Sequence, residues 1–144
     1  MIADLASILI NAPAETVFDY IRDPAKMDRW SFGTWQTQIH ADGLIEGQAL
    51  GSGGLTYLRI DADRSRMIVD YHLGETADAL SPRIFARVIP GAVTGHGTVS
   101  SLLLLTALRG ASMDDARWAG LCRAHAAELD LIKSQIETGH DPRA

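Results

Sequence analysis

The chain is poor in the residues that mark several large classes of protein. It has one cysteine, Cys122, in 144 residues, so no disulfide can form within the chain. Lys and Arg total 13 against 18 Asp and Glu, a net charge of −5 at pH 7, which argues against a surface for nucleic-acid phosphates. Its apolar runs fall short of the roughly 20 residues that a membrane-spanning helix requires. We therefore expect no disulfide scaffold, no nucleic-acid partner and no membrane span.

Signatures of metal and nucleophile chemistry are also missing. The histidines show no His-x-x-x-His spacing, and a single cysteine cannot complete a zinc site. The glycine-rich stretch 51–54 is not followed by Lys-Ser or Lys-Thr and opens no predicted helix, so it indicates a hairpin turn rather than a phosphate loop. Ser100 and Ser101 lack the context of a nucleophile elbow. The sequence therefore implies no metal and no cofactor.

The length and the first residues bear on domain organisation and location. A chain of 144 residues is typical of a single domain, here residues 1–144, with a core large enough to need no cross-links. Its first apolar run contains Asp4 in place of a basic leader and is followed closely by Pro13, a pattern that favours a strand over a signal peptide. With one cysteine in the chain, we expect a soluble protein in the reducing cytoplasm.

Changes in the hydrophobic period predict the order of the elements. After a first strand, Pro13 favours the start of a helix through Glu15 to Ile21, and Asp23 and Pro24 predict the cap and first residue of a second short helix that ends near Trp30. Alternation with period two then predicts strands over residues 34–40, 44–50, 55–62, 66–73, 83–90 and 98–108. The last of these is the most apolar, so we expect it to be internal or heavily covered.

The strongest pattern is an amphipathic helix from Ser112 to Gly139. Ser112, followed by Asp115, is typical of a capping box. One narrow face of the helix has His125 at its centre and otherwise apolar residues. These are Trp118, Leu121, Cys122, Leu129, Ile132 and Ile136. We expect this face to lie against a curved antiparallel sheet, an α+β architecture that commonly encloses a cavity.

The segment Ser7 to Trp30 resembles the first strand and helical pair of the START-related superfamily. The resemblance is sharpest at Pro13, Val17-Phe18, Asp23-Pro24 and Trp30. That superfamily includes birch-pollen-allergen-like proteins, polyketide cyclase and dehydrase-like proteins, lipid-transfer domains and chaperone-activator homologues. The resemblance implies a helix-grip fold, in which a sheet of about seven strands, with two short helices after the first, wraps around the long C-terminal helix. The matching residues are structural in kind, so they transfer no catalytic role.

A cavity of this kind predicts binding of a small hydrophobic molecule, such as a lipid, polyketide or aromatic metabolite. Trp35, Thr37 and Ile39 share the strand face that we expect to point inward, and Tyr71 would offer the cavity a hydroxyl. Asp70 and His72 fall on the opposite face of their strand, as solvated surface. The candidate ligand-binding residues are Trp35, Met67, Val69, Tyr71, Trp118, Leu121, His125 and Leu129.

His125 is the candidate for chemistry, either as a general base or as a hydrogen-bond partner of a ligand carbonyl. The simpler interpretation, which we favour, is a core histidine with a structural partner. An alternative function is that of a polyketide cyclase or dehydrase-like enzyme, with His125 assisted by Asp114 or Tyr71. A third is an interaction module like the chaperone-activator homologues. Binding is favoured because catalysis needs at least two convergent polar groups, and only His125 lies on an inward face that a strong pattern defines. A homodimer is compatible with the sequence, although no segment argues for one.

Overall fold

One antiparallel sheet faces one long helix in the computed structural model, which describes residues 1–141. The strands are β1 (Ala3–Ile10), β2 (Trp35–Ile39), β3 (Ile45–Gln48), β4 (Leu55–Asp63), β5 (Ile68–Gly74), β6 (Ser81–Pro90) and β7 (Ser101–Leu108). The helices are α1 (Ala14–Ile21), α2 (Met27–Trp30) and α3 (Asp115–Thr138). The seven strands lie in the order β1-β7-β6-β5-β4-β3-β2. The α+β class and the strand count predicted from the sequence are confirmed.

The last strand, β7, has the clearest burial pattern. Every second residue from Ser101 to Ala107 is buried, and the strand lies between β1 and β6. The prediction of an internal, covered strand is therefore confirmed. The strand begins later than the expected residue 98, because Gly97 at positive φ leads into a turn at residues 98 and 99.

The two short helices follow the sequence signals closely. Pro13 precedes the first residue of α1, and Val17, Phe18 and Ile21 on that helix enter the core. Asp23 accepts a hydrogen bond from the Ala25 amide at 2.9 Å, which caps a 3₁₀ turn over Pro24–Lys26 that continues into α2. The predicted cap at Asp23 is confirmed, since a short carboxylate before proline satisfies a free amide of the first turn.

The start of α3 differs from the prediction. Asp114, not Ser112, is the N-cap, and its carboxylate accepts a hydrogen bond from the Arg117 amide at 2.7 Å. The capping box does not form, because the Met113 amide bonds the Gly110 carbonyl in a preceding turn. Asp115 is instead paired with Arg109 at 2.7 Å. Serine and aspartate are both favoured N-caps, so the sequence alone did not separate Ser112 from Asp114.

The C-terminal half of α3 is held by bonds from its side chains to the backbone. The Gln135 amide donates to the Arg29 carbonyl at 2.8 Å, and its carbonyl accepts from the Tyr20 hydroxyl. Lys133 donates to the Leu9 carbonyl at 2.7 Å, and Glu137 accepts from the Asn11 amide at 2.7 Å. These contacts fix the end of the helix against α1, α2 and β1.

The edge strand β2 contains an irregularity that changes which face of the sheet its side chains occupy. The register shifts between Trp35 and Gln38, and Gln36 lies at φ 52°. Trp35 therefore pairs with Gln48 and Ile39 with Ile45, and these two β3 residues lie on opposite faces of the strand. The expectation that Trp35, Thr37 and Ile39 share one inward face is wrong, and Ile39 is 46 % exposed.

Met67 also lies outside its strand, although the sequence predicted a strand over residues 66–73. Strand β5 begins at Ile68, and Met67 precedes it at φ 52° in the turn from β4. Its side chain packs against the edge of the core. Within residues 1–141, no helix is long and apolar enough to cross a membrane.

The two candidate caps of α3 can be separated by a pair of alanine variants. Asp114→Ala removes the acceptor of the Arg117 amide, and we expect it to lower the free energy of unfolding by about 1 kcal/mol. Ser112→Ala removes a hydroxyl with no capping role, and its effect should stay within about 0.5 kcal/mol. Urea unfolding followed by circular dichroism measures both. A larger loss for Ser112→Ala than for Asp114→Ala would contradict this assignment.

Candidate ligand-binding cleft

An open cleft of about 320 Å³ lies between the sheet and the N-terminal turns of α3. Leu73, Ile84 and Ala107 contribute its wall on the sheet, and Met113 and Leu121 face them from the helix side. The other lining residues are Ala49, Ser52, Gly54, Leu55, Thr56, Gly74, Glu75, Arg83, Leu108 and Arg117. The cleft therefore combines apolar side chains with polar and charged ones.

Two arginines and one glutamate supply those charges. The Arg83 guanidinium donates to the Leu108 carbonyl at 3.2 Å, which fixes it beside the end of β7. Within residues 1–141, the Arg117 guanidinium has no hydrogen-bond or ion-pair partner. Glu75 is exposed in the loop after β5. The cleft can therefore offer a free cation to a charged group of a ligand.

The structure separates the predicted ligand-binding residues. Leu121 lines the cleft. The other seven lie outside its lining: Val69, Tyr71, Trp118, His125 and Leu129 are buried, and Trp35 and Met67 are partly exposed. The helical and strand periods predict which side chains point inward. They do not show which parts of the interior are closely packed and which remain open.

Tyr71 lies in the packed core and not beside a cavity, which corrects the expectation that its hydroxyl faces one. The hydroxyl donates to the Ile21 carbonyl at 2.7 Å, and the residue is 1 % exposed. Its ring meets the Trp30 ring edge to face, with centroids 5.9 Å apart. Burial, and then the negative charge of Glu128, raise the pKa of Tyr71 far above its ordinary value. Tyr71 is thus a structural link between β5 and α1.

His125 is buried on the central turn of α3 and is 1 % exposed. Its Nε2 lies 3.8 Å from Oε1 of Glu128, and its Nδ1 has no hydrogen-bond partner within residues 1–141. Burial lowers the pKa of the imidazole below 6.5, and the charge of Asp4 opposes this shift in part. The ring is therefore neutral at neutral pH, and its Nδ1 lacks the structural partner expected of a core histidine.

Glu128 is the most important residue that the sequence analysis missed. It is buried, and its Oε2 accepts a hydrogen bond from the Phe32 amide at 3.0 Å. This contact joins α3 to the segment that follows α2. A signal was available, because Glu128 lies three residues after His125 and so falls beside the same apolar stripe.

The Trp30–Thr34 segment also holds unpartnered polar atoms. Trp30 Nε1 and Thr34 Oγ1 are buried without a hydrogen-bond partner within the described chain. Thr34 packs over Gly47 of β3, where an added Cβ would lie 3.0 Å from the Thr34 Cα. Gly47 therefore allows this close approach, which any side chain would obstruct.

Cys122 faces β1 rather than the cleft. Burial, followed by the charge and a hydrogen bond of Asp4, raises the pKa of its thiol. The thiol is therefore protonated at neutral pH, which makes it a poor nucleophile. It is only half-buried, although it lies on the helix face that we expected to pack against the sheet.

Among residues 1–141, one cluster has the spacing of metal ligands. The donor atoms of Asp61, Asp70 and His72 lie within 4.8 Å of one another, on neighbouring strands β4 and β5. They are not part of the cleft lining. Asp70 and His72 are half-buried rather than fully solvated. Exposed acidic groups at this spacing are common without an ion.

Solved structures share this architecture. The Zhui aromatase/cyclase from Streptomyces sp. R1128 superposes with a TM-score of 0.71 at 20 % identity, over 94 % of this chain and 93 % of that one. The chain has the helix-grip fold. The Aha1 dimer from Colwellia psychrerythraea gives a TM-score of 0.69 at 16 % identity, over 96 % and 98 % of the two chains.

A two-domain protein also matches. The di-domain ARO/CYC BexL gives a TM-score of 0.67 at 20 % identity, over 99 % of this chain and 48 % of that one. No protein-family model and no curated protein matches the sequence. These likenesses confirm the helix-grip fold implied by the N-terminal segment, and at such identities they assign no activity.

The lowered pKa of His125 makes stability depend on pH. In the unfolded chain the imidazole binds a proton near pH 6.5, whereas the folded protein binds it only at lower pH. Between these two values the unfolded state holds more protons, so the free energy of unfolding falls as the pH is lowered below about 6.5. We expect His125→Gln to flatten this dependence in urea unfolding between about pH 5.5 and 7.5.

The matched control is His96→Gln, at an exposed loop histidine. It should leave the slope of stability against pH as in the wild type. Equal slopes for the wild type and His125→Gln would contradict a neutral, buried imidazole.

Proposed function

We propose that this protein binds a small, mainly apolar molecule in the cleft between the sheet and the N-terminal turns of α3. The observation behind this proposal is that facing apolar side chains from sheet and helix line a space of about 320 Å³ instead of filling it. That volume falls at the lower end of the roughly 300–1,000 Å³ typical of small-molecule sites. The ligand should therefore be compact, such as a substituted aromatic ring.

The positions of the charged residues in the cleft indicate how a ligand with an anionic group would be oriented. Arg117 has a guanidinium without a partner in the described chain, and Arg83 lies across the cleft from it on β6. An anionic group on the ligand would lie near these arginines, and the apolar body would lie against Ile84 and Leu121. Two proteins with the same fold are called aromatase/cyclases, which agrees with an aromatic or polyketide-like ligand.

Binding is better supported than catalysis. A general base must reach the proton that it removes, and His125 is 1 % exposed. The Tyr71 hydroxyl is already bonded to the Ile21 carbonyl. Asp114, the other candidate partner of His125, caps α3 through the Arg117 amide. None of these three side chains is among the residues that line the cleft.

Filling the cleft should abolish binding. We expect para-isopropylbenzoate to bind the wild type, and Leu121→Trp to weaken that binding at least about tenfold, because the indole would occupy the space. Leu5→Trp, the same change at an exposed position on β1, is the control and should bind as the wild type does. A protein-observed NMR titration gives the affinities. Equal affinities for the two variants would contradict the location of the site.

The charge of Arg117 can be tested separately. We expect Arg117→Gln to weaken binding of para-isopropylbenzoate about three- to tenfold, because the carboxylate loses a charged donor. Arg123→Gln removes the same charge from an exposed position of α3 outside the cleft. It should change the affinity less than about twofold, since exposed charges are screened by salt. A similar loss in both variants would indicate only a general effect of charge.

A further inference from the structure

We propose that Trp30, Thr34 and His125, which lie on two segments joined by the Glu128 carboxylate, form a recognition site for a neutral oxygen of the ligand at the inner end of the cleft. This inference rests on the proposed function, and it names the chemistry of the ligand: a carbonyl or hydroxyl at one end and an anionic group at the other.

The site is marked by buried polar atoms without partners. Within residues 1–141 these side-chain atoms are Trp30 Nε1, Thr34 Oγ1 and His125 Nδ1, in residues that are 3 %, 0 % and 1 % exposed. Burial of such atoms removes their bonds to water and is unfavourable unless another partner replaces them. All three belong to two segments that contact each other, one running from the last residue of α2 to Thr34 and one on α3.

The Glu128 carboxylate joins those two segments. Its Oε2 accepts from the Phe32 amide at 3.0 Å, and Phe32 is two residues from both Trp30 and Thr34. Its Oε1 lies 3.8 Å from Nε2 of His125. The two segments that carry the unpartnered groups are thus joined by one buried carboxylate.

None of these residues lines the cleft itself, but His125 and Thr34 each lie close to a residue that does. His125 follows the cleft residue Leu121 by four residues, about 6 Å further along α3 on the same face. On the sheet, Thr34 packs over Gly47, and Gly47 is the register partner of the cleft residue Thr56. A ligand that extends inward past Leu121 and Thr56 would therefore meet these side chains.

The hydrogen-bonding groups of this site determine which kind of ligand atom can bind there. An indole N–H can only donate, so its partner must be an acceptor, whereas the threonine hydroxyl and the imidazole adapt to either role. The neighbouring Glu128 repels an anion at short range. A neutral oxygen satisfies both conditions, and the anionic group is left at the other end of the cleft with Arg83 and Arg117.

Three benzoates of nearly equal shape test this preference. In para-isopropylbenzoate, para-acetylbenzoate and terephthalate the far end is a hydrocarbon, a carbonyl and a carboxylate. We expect para-acetylbenzoate to bind about five- to tenfold tighter than para-isopropylbenzoate, and terephthalate to bind weakest of the three. Burial of apolar area alone gives the opposite order for the first two, since the isopropyl group is the more hydrophobic.

Two conservative variants test whether these residues cause the preference for the acetyl compound. Thr34→Val and Trp30→Phe each remove a polar atom and keep most of the side-chain shape. We expect each to reduce the acetyl-to-isopropyl affinity ratio at least about threefold while changing the affinity for para-isopropylbenzoate less than about twofold. Thr106→Val, the same change on β7 outside the cleft, should leave the ratio unchanged.

The outcomes separate this inference from the function on which it rests. If para-isopropylbenzoate binds in the cleft but the acetyl compound binds no tighter, the oxygen site is overturned and the binding function stands. The same conclusion follows if Thr34→Val raises thermal stability without changing the affinity ratio. If none of the three acids binds, the proposed function is overturned, and the oxygen site with it.

Discussion

The placement of α3 across the sheet is the constraint on which the rest of the structure depends. Its middle and C-terminal turns are bonded to backbone atoms of other elements, through Glu128 to Phe32 and through Gln135 to Arg29. Such bonds to fixed backbone groups resist sliding and rotation better than apolar contacts, which are not directional. The helix is thereby held close to the sheet over its C-terminal half, while its first turns border the open cleft.

The size of the side chains also distinguishes the closely packed region under the C-terminal half of α3 from the open cleft at its first turns. In the closely packed region the sheet and helix contribute large residues, among them Tyr71 and Leu129, and the Trp30 ring packs on Tyr71. In the cleft, several of the lining positions on the sheet and its loops are small, including Gly74 and Ala107. Interiors pack to nearly uniform density, so a cavity forms where facing side chains are too small to meet. The cleft is thus encoded by its small residues as much as by its apolar ones.

The sequence predicted those features that depend on local chemistry. The period of the apolar residues revealed seven strands and the long helix, and Asp23 with Pro24 marked the second short helix. The errors arose where a nonlocal or irregular feature intervened. One extra residue in β2 reversed the face of Trp35, because side chains alternate along a strand. At α3, Ser112 and Asp114 both have the chemistry of an N-cap, and a turn closed by the Met113 amide and the Gly110 carbonyl leaves Asp114 as the residue that begins the helix.

Candidate site residues were harder to predict, because pairing of buried polar atoms depends on partners distant in sequence. Glu128 bonds the amide of Phe32, 96 residues away, and Tyr71 bonds the carbonyl of Ile21, 50 residues away. A helical period can place His125 inside, but it cannot show that one ring nitrogen lacks a partner while the Tyr71 hydroxyl has one. Since a buried atom without a partner is unfavourable for folding, its position beside a cleft is a stronger indication of ligand contact than its residue type.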